Sequence, residues 1–111
     1  MKGLDGYMVM KNIEIKKALK DELKHCDDYK IFIRWFEDCD NTSYVEVCAL
    51  IDENENEWGD VYYIDGLDDL KGYDELSENE IKEIQQKMTQ AYNYLKKHFD
   101  NVILEKELTW I

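Results

Sequence analysis

The chain has 111 residues, 44% of them hydrophobic and 36% charged, and its 26 acidic against 14 basic side chains leave a net charge of −12. That length is one ordinary domain with room for a modest core, and eight Tyr, three Trp and three Phe supply too much apolar material for a chain disordered throughout. No apolar run reaches the roughly 20 residues of a membrane-spanning helix, and residues 1–10 are too short and too broken by charge for a secretory leader, so the expectation is one cytoplasmic domain, 1–111, with no membrane partner.

Residues 1–11 show no clear period and read as a flexible tail. Residues 12–26 read as a first helix, because Ile15, Ala18, Leu19, Leu23 and Cys26 recur at steps of three and four and line one face. Lys16, Lys17, Lys20 and Lys24 occupy its other side. Residues 29–37 read as a strand with Ile31, Ile33 and Trp35 on one face and Phe32, Arg34 and Phe36 on the other, a pattern that predicts both faces partly covered. Asp, Asn, Thr and Ser cluster in residues 38–43 and predict a turn. A returning strand over residues 44–51 then completes a hairpin.

Residues 52–57 (Asp-Glu-Asn-Glu-Asn-Glu) form the next connection, and residues 58–65 a third strand rich in aromatics, Val and Ile. Gly66 and Gly72 mark residues 66–76 as a loop. Ser77 and Glu80 have the spacing of a capping box, with Leu76 and Ile81 placed as a hydrophobic staple around it. Ile81, Ile84, Met88, Ala91, Leu95 and Phe99 continue that helix, and residues 102–111 read as a closing strand tied into a sheet. The predicted fold is α+β in the order α-β-β-β-α-β. An antiparallel three-strand meander and a C-terminal strand, parallel to the first and third, are packed by one long helix. The edge that the last strand joins stays open.

Several chemistries find little footing. Asp52, Asn54 and Asn56 match the first, third and fifth positions of an EF-hand loop, but Glu57 stands where its glycine belongs and Tyr63 where its bidentate Glu belongs. Cys26, Cys39 and Cys48 follow no disulfide or zinc spacing. His25 and Cys26 are adjacent on a helix and so face apart. No Gly-rich phosphate loop, HExxH or nucleophile elbow occurs. No cofactor, metal or catalytic residue is assigned, and the chain is read as a non-enzyme. Direct nucleic-acid binding is opposed by the net charge. A rival of another class is a metal-dependent hydrolase using Asp65, Asp68 and Asp69.

The charge is unevenly placed. Between Asp52 and Glu80 twelve acids face one base, Lys71, so this stretch holds −11 and the remainder −1. The acids are interleaved with aromatics, which act as interface anchors while charge steers the approach. Asp52, Glu53, Glu55, Glu57, Trp58, Asp60, Tyr62, Asp65, Asp68, Asp69, Tyr73, Asp74 and Glu75 are therefore the candidate partner-binding residues. If Glu53, Glu55 and Glu57 are extended, same-face carboxylates fall roughly 6.6 Å apart, a spacing that imitates a phosphate track. The partner this predicts is a basic protein, a nucleic-acid-processing enzyme.

The closing segment Ile103-Leu104-Glu105-Lys106-Glu107-Leu108, in a short, acidic, Pro-free chain that opens with a helix and a β-meander, is similar to the ending of some type II-A anti-CRISPR proteins. The resemblance implies a phage-type inhibitor in a bacterial host cell, whose Asp and Glu side chains engage the Cas9 residues that read the PAM. An immunity protein that neutralises a nuclease toxin uses the same acidic surface and is the nearest alternative.

Overall fold

The computed structural model describes residues 9–110. In chain order they form β1 (Val9–Met10), α1 (Asn12–Glu22), β2 (Lys30–Glu37), β3 (Thr42–Asp52), β4 (Glu57–Ile64), β5 (Leu70–Lys71), a 3-10 turn (Tyr73–Glu75), α2 (Glu78–Lys96) and β6 (Val102–Trp110). This is an α+β fold, and the predicted meander is present: β2 pairs antiparallel with β3, and β3 with β4. β6 runs parallel to β2 and takes the edge beside it, which gives the sheet order β1-β4-β3-β2-β6. β5 pairs with the first residues of β3, alongside where β4 has ended.

Four expectations are corrected. Residues 9 and 10, assigned to a tail, pair in parallel with Tyr63 and Ile64 of β4, and Lys11 starts α1; residues 1–8 of that tail lie outside the described residues. The loop at residues 66–76 contains β5 and the 3-10 turn. Two helices, not one, cover the sheet, because α1 buries Ile15 and Leu19 completely in the same core that α2 enters. α1 also ends at Glu22 instead of residue 26, where the Leu23 N–H bonds the Leu19 carbonyl and the chain turns.

The turns have a common cause. The chain has no Pro and five Gly, and Asn or Asp takes the left-handed backbone at Asn41 (φ 62°), Asn56 (φ 55°), Asp69 (φ 54°) and Asn101 (φ 58°). These short polar side chains tolerate that conformation better than other non-glycine residues. α2 starts as its sequence predicts: the Glu80 N–H donates to Ser77 Oγ at 3.1 Å and the Ser77 N–H to Glu80 Oε1 at 2.9 Å. Among the described residues no helix is long and apolar enough to cross a membrane.

The pleat divides the sheet into two unlike faces. Ile31, Ile33 and Trp35 of β2, Val45, Val47 and Ala49 of β3, and Tyr62 and Ile64 of β4 point to one side. There they meet Ile15 and Leu19 of α1 and Ile84, Met88, Ala91 and Leu95 of α2. The other side carries Phe32, Arg34 and Phe36 of β2, Tyr44, Glu46, Cys48 and Leu50 of β3, and Trp58, Val61 and Tyr63 of β4. No helix or strand of the described residues lies over it. The coverage of both faces expected from β2 is met on one side by helices, and on the other, among the described residues, rings pack on one another, Phe32 on Trp58 and Tyr44 on Tyr63.

Candidate functional site

The β3–β4 turn holds the first group of predicted carboxylates. Asp52 Oδ1 accepts from the backbone N–H groups of Asn54 at 3.0 Å and Glu55 at 3.3 Å, and the Asn56 N–H reaches the Glu53 carbonyl. Those bonds fold residues 53–56 into a turn, so the extended row of Glu53, Glu55 and Glu57 does not form. Local side-chain-to-backbone bonding outcompetes the strand here. Glu53, Glu55 and Glu57 are all exposed, and Glu53 pairs with Lys30 at 2.9 Å. Trp58 turns onto the open sheet face, with its Nε1–H donating to Asn56 Oδ1 at 3.3 Å.

β4 carries two further predicted residues in different settings. Asp60 is exposed, and its N–H donates to Glu22 Oε2 of α1 at 2.9 Å. Tyr62 is only 4% exposed and its hydroxyl donates to Glu22 Oε1 at 2.9 Å. It lies under the helices as a core residue, so it does not present itself to a partner. Burial, with the Glu22 carboxylate beside it, pushes the Tyr62 phenol strongly up. Gly59 lets this arrangement close: a Cβ there would lie 1.6 Å from Glu22 Oε2.

The remaining candidates gather at the opposite end of the sheet. Asp65 and Asp69 are exposed, Asp68 is half-buried, and Gly66 (φ 89°) turns the chain between them. Tyr73, Asp74 and Glu75 are exposed in the 3-10 turn, which is docked by the Tyr73 N–H on the buried Glu37 carboxylate at 2.7 Å and by a hydrogen bond from Asn41 to Glu75. Lys71, the base of this segment, sits 3.4 Å from Glu80. Asp38 and Asp40 of the β2–β3 turn are at the same end, and the N–H of Asp40 and the hydroxyl of Thr42 hold the Asp38 carboxyl below its ordinary range. The eight residues of β4 separate the two acidic ends by roughly 23 Å at about 3.3 Å per residue. The acidic segment is thus two poles at either end of the strands.

Between those poles lies a surface that the acid count did not reveal. Arg34 stands at its centre, 4.8 Å from the Trp58 ring centroid, 5.0 Å from Phe36 and 5.3 Å from Phe32, and 3.3 Å from Glu46, its cross-strand neighbour. Phe32 packs on Trp58 at 5.5 Å, and Tyr44 on Tyr63 edge-to-face at 5.4 Å. Burial pushes the Glu46 carboxyl up while Arg34 opposes it, and burial with Glu46 nearby pushes Tyr44 up to about 12. Burial likewise raises Cys48 to about 11, so this thiol stays protonated. The sequence signal was Phe32, Arg34 and Phe36 at alternate positions on the side of β2 away from the core.

Positive charge collects on the helix layer. Lys20 Nζ donates to the His98 carbonyl at 2.8 Å and lies 4.7 Å over the Phe99 ring. Desolvation, with Lys16, Lys20 and Lys97 around it, holds His98 below its ordinary value. Among the described residues no group of three or more His, Cys, Asp or Glu is placed to hold a metal ion. No family model, curated protein or solved structure matches the chain.

Proposed function

We propose that the chain is an acidic protein inhibitor that binds the basic nucleic-acid-binding cleft of a bacterial defence nuclease, the act that its likeness to type II-A anti-CRISPR proteins implies. The observation that carries this reading is the fixing of exposed carboxylates at both ends of the sheet. Asp52 locks one turn, and Glu37 with Asn41 docks the other. Carboxylates held on ordered turns lose less freedom on meeting a basic surface than carboxylates on a loose tail. Because residues 53–56 turn, the reading rests on the amount and position of charge and no longer on phosphate-like spacing. Steering of this kind weakens as salt shortens the reach of the field.

The test is inhibition of cleavage. A type II-A Cas9 with its guide, incubated with increasing chain before target DNA is added, is expected to lose cleavage in proportion to the chain present. The carboxylate reversals Glu53→Lys, Glu55→Lys and Glu57→Lys together should restore most of it. Full cleavage at large excess of the wild-type chain would remove this reading. Inhibition of a purified toxin nuclease in a parallel reaction would transfer it to toxin immunity.

A further inference from the structure

We propose that the basic cluster where α1 meets the end of α2 binds a phosphate group, held by Lys16, Lys20, Lys97 and His98. This site is separate from the acidic poles and goes beyond the proposed inhibition. Its four residues come from two elements that one bond ties together. Lys16 and Lys20 stand four apart on α1 and so are neighbours on one side of it. Lys20 Nζ donates across to the His98 carbonyl at 2.8 Å and lies 4.7 Å over the Phe99 ring. Phe99 is buried in the core, and the N–H groups of Lys97, His98 and Phe99 all bond back to Tyr94 or Leu95 in the last turn of α2. The His98 ring packs 5.1 Å from that of Tyr94. Lys20, His98 and the backbone of the cluster are therefore ordered before a ligand arrives, which lowers the cost of binding one.

The positive charge there is unanswered by the chain itself. Acids outnumber bases 26 to 14, yet among the described residues neither Lys16 nor Lys97 has an ion-pair partner. The charges that act on His98 are Lys16, Lys20 and Lys97, with no carboxylate among them. Like charges one helical turn apart cost stability, and an anion set between them would relieve that cost. Lys20 has spent one of its three N–H donors on the His98 carbonyl. Lysine acts on phosphate as a point charge, whereas a carboxylate is matched best by the fork of arginine. The chain's one arginine, Arg34, is paired with Glu46. A phosphate brings nearly two negative charges and several acceptor oxygens, enough to engage all three ammonium groups. The field of distant carboxylates fades within about 8 Å at physiological salt, so a small anion responds to this local charge more than to the net −12.

The probe is inorganic phosphate, added at constant ionic strength, with the His98 imidazole followed by NMR and assigned by His98→Gln. The chain has two histidines, and His25, outside the cluster, is the internal reference. Phosphate is expected to raise the His98 pKa saturably, by about half a unit or more, because a bound negative charge favours the imidazolium. Lys16→Gln and Lys97→Gln should each weaken phosphate binding about threefold, the scale of an exposed ion pair. Lys17→Gln, on the same helix but outside the cluster, should leave it unchanged. A nucleoside 5′-monophosphate should act as phosphate does, and the parent nucleoside should not. A His98 response equal for phosphate and for chloride reduces the effect to ionic screening. A response unchanged when Lys16 and Lys97 are both replaced puts the anion elsewhere, and a response to the nucleoside assigns the contact to the base. Each of these results overturns the site, and none of them bears on the acidic poles.

Discussion

Glu22 shows how one side chain can hold two layers together. It accepts from the Asp60 N–H and the Tyr62 hydroxyl, each at 2.9 Å, and so ties the end of α1 to β4. The approach depends on Gly59, where any Cβ would collide with the carboxylate. Gly59→Ala is expected to displace Glu22 and cost about 1.5–3 kcal/mol, the scale of hydrogen bonds to a charged group. Urea unfolding checks it, and a change within a few tenths of a kcal/mol would show that Glu22 is dispensable. His98 gives a pH signature. Its folded pKa lies below the ordinary 6.5 because of desolvation and Lys16, Lys20 and Lys97. The fold thus favours the neutral ring, so His98 takes nothing from stability above its unfolded value. Stability falls as pH drops below about 6.5 and through the folded pKa. His98→Gln should lose less melting temperature than wild type between pH 7.5 and 5.5.

The elements differ in how plainly the sequence announces them, for physical reasons. α2 was legible because its start signal is local: Ser77 and Glu80 satisfy each other's backbone groups three residues apart. Ser77→Ala is expected to cost about 1 kcal/mol, measurable by thermal unfolding. The β2–β3 hairpin was legible because alternation and a polar turn coincide there. β1 was not, since two residues of strand leave no period and their pairing is with distant β4. The edge taken by β6 was equally hidden, because a parallel partner is chosen by packing across the whole sheet. The carboxylate row failed because Asp52 captures the backbone of Asn54 and Glu55.

β6 also guards an edge. Its register against β2 shifts between Glu105, opposite Arg34, and Leu108, opposite Trp35, so Lys106 and Glu107 form a charged bulge on an outer strand. Bulges and charges on edges block pairing with other chains. Deleting Lys106 and Glu107 keeps the register of both halves, and is expected to retain the fold while promoting association. Light scattering after size exclusion reads the outcome; a monomer would show that the bulge has another purpose.

At the scale of the molecule, charge and apolar surface are sorted. Helices close one side of the sheet over the core, lysines gather on the helix layer around His98, and carboxylates occupy the two ends of the strands. The count of −11 between Asp52 and Glu80 was readable from the sequence, but its division into two poles was not, because β4 sets its two flanking turns at opposite ends of the sheet only through its pairing with β3 and β1. The aromatic face was readable only in part, since burial of one side of β2 cannot be told from its pattern when both sides are apolar. A basic partner that uses both poles should lose affinity steeply with salt, and reversing either pole alone should weaken it without unfolding the chain.

The central claim, that the acidic poles occupy a basic nucleic-acid cleft, is tested most directly by displacement. A labelled PAM-containing duplex is bound to a type II-A Cas9–guide complex, and the chain is titrated in at low and at high salt. The expected result is displacement at low salt that weakens at high salt, and that is lost when Glu53, Glu55 and Glu57 become Lys. Retention of the duplex at every chain concentration, or displacement equal for wild type and reversal variant, would contradict it.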